Sequence, residues 1–298
     1  MFGAGLIGQA VCSALARTVG AETSVLPYDW NDSAARLRQG RDAVDRALAR
    51  ATAGPAREIA VLWAAGTSGF GSDAAAMVRE ERRHAEVLAL ARALQARATG
   101  ARVTFHHVSS AGGLFEGARA VGPGAHPHPL RPYGTGKQAQ EAALADLPHH
   151  RIYRATSVYG YTPGGRAGLV PTLIRNALAE TPSHIEGALT TLRDYVLVDD
   201  VARFIAARMR APGPSGAATH LLAQFRPASI FEIVRMIEQA VGRPLNLRVN
   251  HRPANAHDIS FLPSAAPAGW RATDLTVGIA RVHARVRADM ISGGTRAA

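Results

Sequence analysis

The sequence is short of lysine and cysteine, and it has no long apolar run. Lys137 is the only lysine among 34 basic residues, and Cys12 is the only cysteine in 298 residues. A single cysteine excludes an internal disulfide framework and a thiolate metal cluster, which fits the reducing cytoplasm. No stretch approaches the roughly 20 apolar residues that a membrane-spanning helix needs. We therefore expect a cytoplasmic globular protein with no membrane partner.

The sequence also lacks the patterns that would indicate a metal or a nucleic acid as the ligand. Its 12 histidines do not fall at metal-ligand spacings, so we expect no metal site. The net charge of +11 comes from arginines that are scattered singly and in helical patterns, without a run that interleaves them with aromatic residues. We expect no nucleic-acid partner, and a polyanionic small ligand suits the basic surface equally well.

A glycine-rich motif opens the chain. Residues Gly3–Gly8 read Gly-x-Gly-x-x-Gly and lead directly into an apolar helical pattern over residues 9–17. Glycines at this spacing permit a tight turn and let backbone amides approach a pyrophosphate at the helix N-terminus. A short second strand is predicted over residues 23–28 and ends at Asp29, whose carboxylate suits a ribose 2′-hydroxyl. No arginine follows directly to bind a 2′-phosphate, so NAD is favoured over NADP.

Only Met1 and Phe2 precede the first glycine of this motif. The strand before such a turn is buried on both faces and is roughly 5–6 residues long. Two residues cannot pair fully with neighbours on both sides, which would leave buried backbone groups without partners. We therefore expect the natural chain to begin several residues upstream with a short apolar run. No signal peptide is recognisable, because no charged region precedes an apolar one.

Strands and helices alternate through the first half of the chain. Strands are predicted at residues 58–66, 102–108 and 151–156, and long helices at residues 32–53 and 73–98. This alternation predicts an α/β fold with a Rossmann-type, doubly wound parallel sheet. Small residues follow two of the strands, at the carboxyl edge where ligands of such sheets bind. They are Ala64, Ala65 and Gly66 after one strand, and Ser109 and Ser110 after the next.

The rhythm changes after residue 165, where a smaller lobe is predicted. The Rossmann domain is expected to comprise residues 1–165, with a return segment at about 192–223. The smaller C-terminal, substrate-binding lobe then comprises residues 166–191 and 224–298. We expect the end of that lobe to be irregular.

One tyrosine lies four residues before the single lysine. On a helix, Tyr133 and Lys137 lie on the same face. A phenol titrates at roughly 10 when unperturbed, and a nearby ammonium favours the phenolate, which brings the phenol towards the range of a general base. The spacing alone also suits an exposed tyrosine and lysine at a helix start. Ser110 adds a candidate hydroxyl.

Taken together, these residues resemble the extended short-chain dehydrogenase/reductases, the NAD-dependent epimerase/dehydratase family that acts on nucleotide sugars. The likeness covers nearly the whole chain, and it is specific because several motifs occur in the family's order. The motifs are Gly3–Gly8, Ala64–Gly66, Ser109–Ala111, Tyr133-x-x-x-Lys137, Val158–Gly160, Arg193–Val196, Val198–Ala202 and Gly269–Trp270.

The resemblance implies a role for each matching residue. It implies that Tyr133 is the acid/base, that Lys137 lowers the pKa of the phenol and holds the nicotinamide ribose, and that Ser110 hydrogen-bonds the reacting hydroxyl. It also implies that Arg193 binds a substrate phosphate, since a guanidinium suits a diphosphate. The implied cofactor-binding residues are Gly3, Gly5, Leu6, Ile7, Gly8, Asp29, Ala64, Ala65, Gly66 and Lys137. The implied substrate-binding residues are Ser109, Ser157 and Arg193.

Some positions depart from the family pattern. Ala111 and Gly112 stand where dehydrating members carry an Asp-Glu pair, which argues against a 4,6-dehydratase. Ser157 stands where an asparagine often contacts the substrate phosphates, and Asn255 stands where an arginine is common. The sequence therefore defines the nucleotide-sugar pocket less sharply than the cofactor pocket.

The leading hypothesis is an NAD-dependent epimerase or reductase of a nucleotide sugar, which works by hydride transfer assisted by Tyr133, Lys137 and Ser110. A homodimer is the expected assembly. Two alternatives stay open: an alcohol or ketone dehydrogenase of a non-nucleotide substrate, and a non-catalytic dinucleotide-binding protein. The three residues favour an enzyme, because a pure binder has no need of a phenol beside an ammonium.

Overall fold

The computed structural model describes residues 1–17, 25, 28–53, 58–211, 213 and 215–295. None of the described helices combines the length and the apolar character that crossing a bilayer requires. The chain forms two compact units, each assembled from three segments. The first unit comprises Met1–Leu114, Pro127–Arg154 and Ala202–His220, and the second comprises Phe115–His126, Ala155–Val201 and Leu221–Ala298.

Helices and strands alternate along the described residues. The helices are α1 (Leu6–Ala16), α2 (Ser33–Ala53), α3 (Ala74–Arg97), α4 (Ala111–Leu114), α5 (Pro132–Ala142), α6 (Leu169–Leu178), α7 (Val198–Arg210), α8 (Ile230–Val241) and α9 (Leu275–Thr295). The strands are β1 (Glu58–Trp63), β2 (Arg102–Ser110), β3 (His150–Ala155), β4 (Ser157–Tyr159), β5 (Ser183–Glu186), β6 (Leu192–Arg193), β7 (Tyr195–Leu197), β8 (Ala217–Leu222), β9 (Ala228–Ser229) and β10 (Leu247–Asn250).

A four-stranded sheet in the order β1-β2-β3-β8 forms the centre of the first unit. Strands β1 and β2 are parallel, as the sequence predicts for a doubly wound α/β fold. Phe2 adds a single parallel bridge to Trp63, in which its amide donates to the Leu62 carbonyl at 2.8 Å and its carbonyl accepts the Ala64 amide at 2.9 Å. These bonds fix the start of the glycine-rich turn beside the carboxyl end of β1.

Side-chain caps mark the beginnings of three helices. The Asp32 carboxylate accepts two backbone amides at the start of α2, and the Asp73 carboxylate accepts one at the start of α3 at 2.7 Å. At α8, Ser229 and Glu232 form a reciprocal capping box, and Gly242 ends the helix in the left-handed conformation. A cap of this kind stabilises a helix by about 1 kcal/mol. The helix starts predicted near residues 32 and 73 are confirmed.

Helix α3 presents one continuous stripe to the core. The apolar pattern of residues 73–98 predicts Val78 on this stripe with Val87, Leu88, Ala91 and Leu94, but Val78 is 45% exposed. Met77 is buried instead, because it stands three and seven residues before Glu80 and His84 and so shares their face of the helix, whereas Val78 is turned about 100° away from Met77. Two polar residues also lie on the stripe. Its members are Met77, Glu80, His84, Val87, Leu88, Ala91 and Leu94.

The second unit has its own core and three two-stranded sheets, β4 with β7, β5 with β10, and β6 with β9. The expectation of an irregular end is wrong, since α9 is a helix of 21 residues. Its apolar stripe is interrupted in sequence by arginines, which obscure the helical period. The buried residues of the stripe are Leu275, Ile279, Val282 and Val286.

The second strand predicted over residues 23–28 falls mostly outside the described residues. Val25 and Tyr28 are described, and neither is in a strand. Tyr28 is buried and packs edge-on against Phe2 at 5.1 Å between ring centroids. This contact places Asp29, the next residue, close to the start of the chain.

Candidate active site

Two glycines allow α1 to begin close to the end of β1. Gly3 adopts a φ of 95°, and a Cβ on it would lie 2.4 Å from the Ala65 Cα. A Cβ on Gly8 would lie 2.0 Å from the Gly3 carbonyl oxygen. Any other residue would force the helix and the strand apart, so both positions require glycine.

The middle glycine of the motif faces open space instead. Gly5 is the N-cap of α1, and a Cβ built on it meets no atom within 4 Å. No side chain caps this helix, and its first turn has no acidic residue. The positive end of the helix dipole and the amides of the first turn are therefore directed at the space beside Gly5, which suits an anion such as a pyrophosphate.

The loop after β1 connects the glycine-rich turn to Lys137. Ala64 and Ala65 lie directly against Gly3. One residue further on, a Cβ built on Gly66 would lie 3.0 Å from the Lys137 Nζ. Three segments that the sequence predicts to bind the cofactor are thus brought together in the first unit.

Asp29 is exposed and charged. Its Oδ1 accepts the backbone amides of Asn31 and Asp32 at 2.9 and 3.2 Å, and these hydrogen bonds lower the pKa of Asp29. The Arg36 guanidinium of α2 is paired with Glu86 through two hydrogen bonds of 2.7 and 2.9 Å. The carboxylate predicted to meet a ribose is therefore ionised, and Arg36 is already held by a carboxylate of its own.

The two candidate catalytic hydroxyls lie at the ends of β2 and α5. Ser110 is the last residue of β2, and its Oγ accepts the Gly113 amide at 3.1 Å. A Cβ on Gly113 would lie 2.8 Å from the Tyr133 ring, so α4 packs directly against that ring. Within the described part of the chain, the Ser110 proton and the Tyr133 hydroxyl have no protein partner. Both are available to a ligand.

An aromatic ring from the loop after β1 lies beside the tyrosine. The ring centroids of Phe70 and Tyr133 are 5.9 Å apart, with their planes tilted by 38°. A Cβ on Gly112 would lie 3.3 Å from the Phe70 ring, and the Arg131 guanidinium is 5.5 Å from its centroid. Phe70 therefore covers one side of Tyr133 with an apolar surface.

A buried carboxylate meets the single lysine. The Lys137 Nζ donates to Glu80 Oε1 at 2.6 Å and to Gln140 Oε1 at 3.1 Å, and Gln140 Nε2 donates to the same Glu80 oxygen at 3.1 Å. The other Glu80 oxygen accepts the amides of Thr67 and Ser68 at 2.9 Å each. The side chains of Lys137 and Glu80 are 4% and 2% exposed. A buried ion pair thus lies in the core, with further hydrogen bonds at both ends.

Burial and the Lys137 charge shift the pKa values of three buried groups, Glu80, His84 and His107. Burial raises the pKa of Glu80, but the Lys137 charge and the hydrogen bonds outweigh it and lower that pKa to about 2. Burial, together with the Lys137 charge, lowers the pKa of His84 to about 3 and holds that of His107 well below its usual range. Both imidazoles are therefore neutral at neutral pH, and Glu80 is ionised.

The predicted substrate residue Ser109 is engaged within the first unit. Its hydroxyl donates to Glu141 Oε1 at 2.6 Å, and the Arg154 guanidinium donates to the other oxygen of Glu141 at 2.6 Å. The Ser109 proton is thereby used, and a ligand would meet only the lone pairs of the oxygen. A substrate-binding role for Ser109 stays a prediction.

Ser157 and Arg193, the other two predicted substrate residues, belong to the second unit. Ser157 begins β4, and its amide donates to the carbonyl of Asp194 at 2.9 Å. The Arg193 guanidinium donates to the Leu192 carbonyl at 3.3 Å and to the Asn255 carbonyl at 3.4 Å. Ser157 and Arg193 are thus neighbours, since the backbone of Ser157 is bonded to the residue that follows Arg193.

Comparison with known proteins decides the family. The model of the NAD dependent epimerase/dehydratase family matches residues 3–220, which is most of the chain. The chain belongs to this family. A curated relative in the family, UDP-glucose 4-epimerase from Mycolicibacterium smegmatis, is 34% identical over 161 residues, which are 50% of each chain. The chain spans half or less of the length of the curated relatives it matches.

Solved epimerases share the fold of this family member. The UDP-glucose 4-epimerase from Stenotrophomonas maltophila, solved with NAD and formylated UDP-arabinopyranose, gives a TM-score of 0.74 at 22% identity, over 99% of this chain and 98% of that chain. The UDP-glucose 4-epimerase of Thermus thermophilus, solved with NAD, gives a TM-score of 0.71 at 18% identity, over 96% of this chain and 99% of that chain. The Rossmann-type α/β fold is therefore confirmed.

The sequence did not predict three residues of the candidate site in this chain, namely Glu80, Gln140 and Phe70. A signal existed for Glu80, which lies on the apolar stripe of α3. A buried carboxylate requires a cation, and the chain offers one lysine on a helix. Phe70 lies in a glycine-rich loop without periodicity, so its position beside Tyr133 had no signal in the sequence.

Proposed function

We propose that the chain is an NAD-dependent epimerase that interconverts two epimers of a UDP-sugar. The observation that carries the proposal is the assembly of Ser110, Tyr133 and Lys137 beside the glycine-rich turn in one compact unit. Family membership and the curated UDP-glucose 4-epimerase relative support the substrate class. The homodimer, the cytoplasmic location and the domain boundaries stay predictions.

The residues present suit NAD. Gly3 and Gly8 allow the close approach of α1, and the space beside Gly5 is open at the helix N-terminus. The turn from Gly3 to Gly8 would hold the pyrophosphate together with Ala64, Ala65 and Gly66. Asp29 would meet the adenosine ribose, and Lys137 the nicotinamide ribose. When bound, NAD would supply a two-electron acceptor for the carbinol carbon of the sugar and, once reduced, the hydride that restores that carbon in the epimer.

Proton transfer is assigned to Tyr133. In the proposed reaction, the phenolate oxygen of Tyr133 takes the proton of the sugar hydroxyl and returns it when the epimer forms. The Ser110 hydroxyl would donate a hydrogen bond to the same sugar oxygen and so hold it in place beside Tyr133. The Lys137 charge, 5.8 Å from the centroid of the Tyr133 ring, favours the phenolate. Phe70 keeps water from one side of the reacting pair.

Substrate binding is assigned to three polar residues. Arg193 would bind a phosphate of the UDP group, because a guanidinium suits a diphosphate. Ser157 lies next to the backbone of that strand and would contribute a hydroxyl. Ser109 would accept a hydrogen bond from the sugar through its lone pairs. The second unit, which holds two of these residues, is proposed as the substrate-binding lobe.

Conversion of UDP-galactose with a small amount of NAD separates the three hypotheses. An epimerase forms UDP-glucose to equilibrium, measured by chromatography, while no reduced nicotinamide accumulates in the absorbance spectrum. A dehydrogenase accumulates reduced nicotinamide in step with its product. A protein that binds NAD tightly but changes no UDP-sugar or simple alcohol would be a non-catalytic binder, which would contradict the proposal.

Cofactor choice follows from the charge on Asp29. We expect NAD to bind at least about tenfold more tightly than NADP, since the 2′-phosphate would meet an ionised carboxylate and Arg36 is held by Glu86. Titration of the intrinsic tryptophan fluorescence measures both affinities. Asp29→Asn should reduce the difference between the affinities for NAD and NADP. The control Asp42→Asn, which removes an exposed charge from α2, should leave that difference unchanged. Tighter binding of NADP would show that Asp29 does not meet the ribose.

A further inference from the structure

Glu80 joins two parts of the site that are distant in sequence. One oxygen of its carboxylate accepts the amides of Thr67 and Ser68, so the loop after β1 is fixed to α3. The other oxygen accepts the Lys137 ammonium and the Gln140 amide. A single side chain thus sets the position of both the loop and the lysine, and its four hydrogen bonds leave neither oxygen without a donor.

Only a carboxylate of this length meets donors on both sides. Glutamine has one acceptor oxygen and one donor amide. At position 80 it would turn an N–H group either onto the loop amides or onto the Lys137 ammonium, and donors would then face donors. Aspartate keeps the charge, but it is one methylene shorter, so its carboxylate would lie farther from the donors on both sides. The site therefore requires both the length and the charge of Glu80.

We propose that Glu80 is a positioning residue that keeps the buried Lys137 ammonium charged and held beside Tyr133. The inference rests on the proposed function, in which that charge supports the Tyr133 phenolate. A buried ammonium without a partner loses its proton rather than remain charged in apolar surroundings. Without Glu80, Lys137 would become neutral at lower pH, and the phenolate would lose its support.

Among the described groups around Lys137, Glu80 supplies the negative charge that pairs with the ammonium. The two imidazoles are neutral at neutral pH, because burial lowers the pKa of each. Among the described residues, Glu80 is the one carboxylate that bonds to Lys137, while the Glu81 carboxylate lies beside Gly136, the residue before the lysine. The groups that face Lys137 are Glu80 and His84 from α3, His107 from β2, and Tyr133 and Gln140 from α5 itself.

The solitary lysine allows its charge to be measured directly. Protein made with isotopically labelled lysine gives one side-chain signal by NMR, because Lys137 is the only lysine of the sequence. The pH dependence of that signal gives the midpoint at which Lys137 loses its proton. In Glu80→Gln we expect the midpoint to fall by about 1–3 pH units relative to the unsubstituted chain. Glu80→Asp should give an intermediate midpoint.

The pH dependence of kcat should shift in the same direction as the lysine midpoint. In Glu80→Gln the alkaline fall of kcat should begin at lower pH than in the unsubstituted chain, since a neutral lysine no longer supports the phenolate. A purely structural role for Glu80 would lower activity without moving the profile. The control is Asp146→Asn, which removes the exposed ion pair between Arg92 of α3 and Asp146. It should leave both the midpoint and the profile unchanged.

The two hypotheses fail separately in these measurements. An unchanged lysine midpoint in Glu80→Gln would overturn the inference. If the glutamine variant does not fold, an unchanged lysine midpoint in Glu80→Asp would overturn it instead. A lower midpoint supports it. The titration needs no substrate, so a chain that turns over no UDP-sugar contradicts the proposed function alone.

Discussion

Replacing Tyr133 with phenylalanine is expected to lower kcat about 10²–10⁴-fold while NAD still binds. The substitution deletes the phenol oxygen and keeps the ring that packs against Gly113 and Phe70. Among the described residues the Tyr133 hydroxyl has no protein partner, so its loss leaves no buried group unsatisfied. The free energy of unfolding should therefore change by less than about 0.5 kcal/mol. Steady-state kinetics and urea unfolding measure the two effects.

The second unit supplies a matched control for this substitution. The Tyr161 hydroxyl hydrogen-bonds Asp289 and accepts the Arg175 guanidinium at 3.0 Å. Tyr161→Phe removes the same atom but leaves two charged groups without that partner, so it should lower stability and leave kcat near that of the unsubstituted chain. Unchanged turnover in Tyr133→Phe would contradict the assignment of Tyr133 as the acid/base.

Features that depend on local backbone geometry could be predicted from the sequence. Gly3 and Gly8 are needed because a Cβ would overlap backbone atoms, and such a requirement is visible in the spacing of the glycines. Asp32 and Asp73 mark helix starts because their carboxylates bond amides two or three residues ahead. Tyr133 and Lys137 share one helix, whose period alone places them on one face.

Features that depend on contacts between distant segments could not be predicted. Glu80 and Lys137 are 57 residues apart, and only the packing of α3 on α5 brings the carboxylate to the ammonium. Ser109 was predicted as a ligand of the substrate, but its proton is used by Glu141, 32 residues further on. Sequence spacing carries no record of such pairs unless a polar residue falls on an apolar stripe, as Glu80 does.

Alanine at two glycines of the turn is expected to have different consequences. At Gly8 a Cβ would lie 2.0 Å from the Gly3 carbonyl oxygen, so α1 has to move away from the turn. Overpacking of this kind costs about 1–3 kcal/mol, and we expect Gly8→Ala to lose that stability together with NAD binding.

At Gly5 the φ of −73° suits any residue, and a Cβ built there meets no atom within 4 Å. Gly5→Ala should therefore fold, yet bind NAD at least about tenfold more weakly, because the methyl group occupies the space of the pyrophosphate.

Gly168 is the matched control, since it is the N-cap of α6 at φ −86° and a Cβ on it also meets no atom within 4 Å. Alanine is a poorer N-cap than glycine, and Gly168→Ala shares this small cost with Gly5→Ala. In urea unfolding, Gly5→Ala and Gly168→Ala should have similar free energies of unfolding, and Gly8→Ala should have a clearly lower one. Fluorescence titration should show weakened NAD binding in Gly5→Ala and Gly8→Ala only. If Gly5→Ala bound NAD as tightly as Gly168→Ala, the pyrophosphate would not lie at the N-terminus of α1, because a methyl group at the N-cap of that helix cannot share the space with a phosphate.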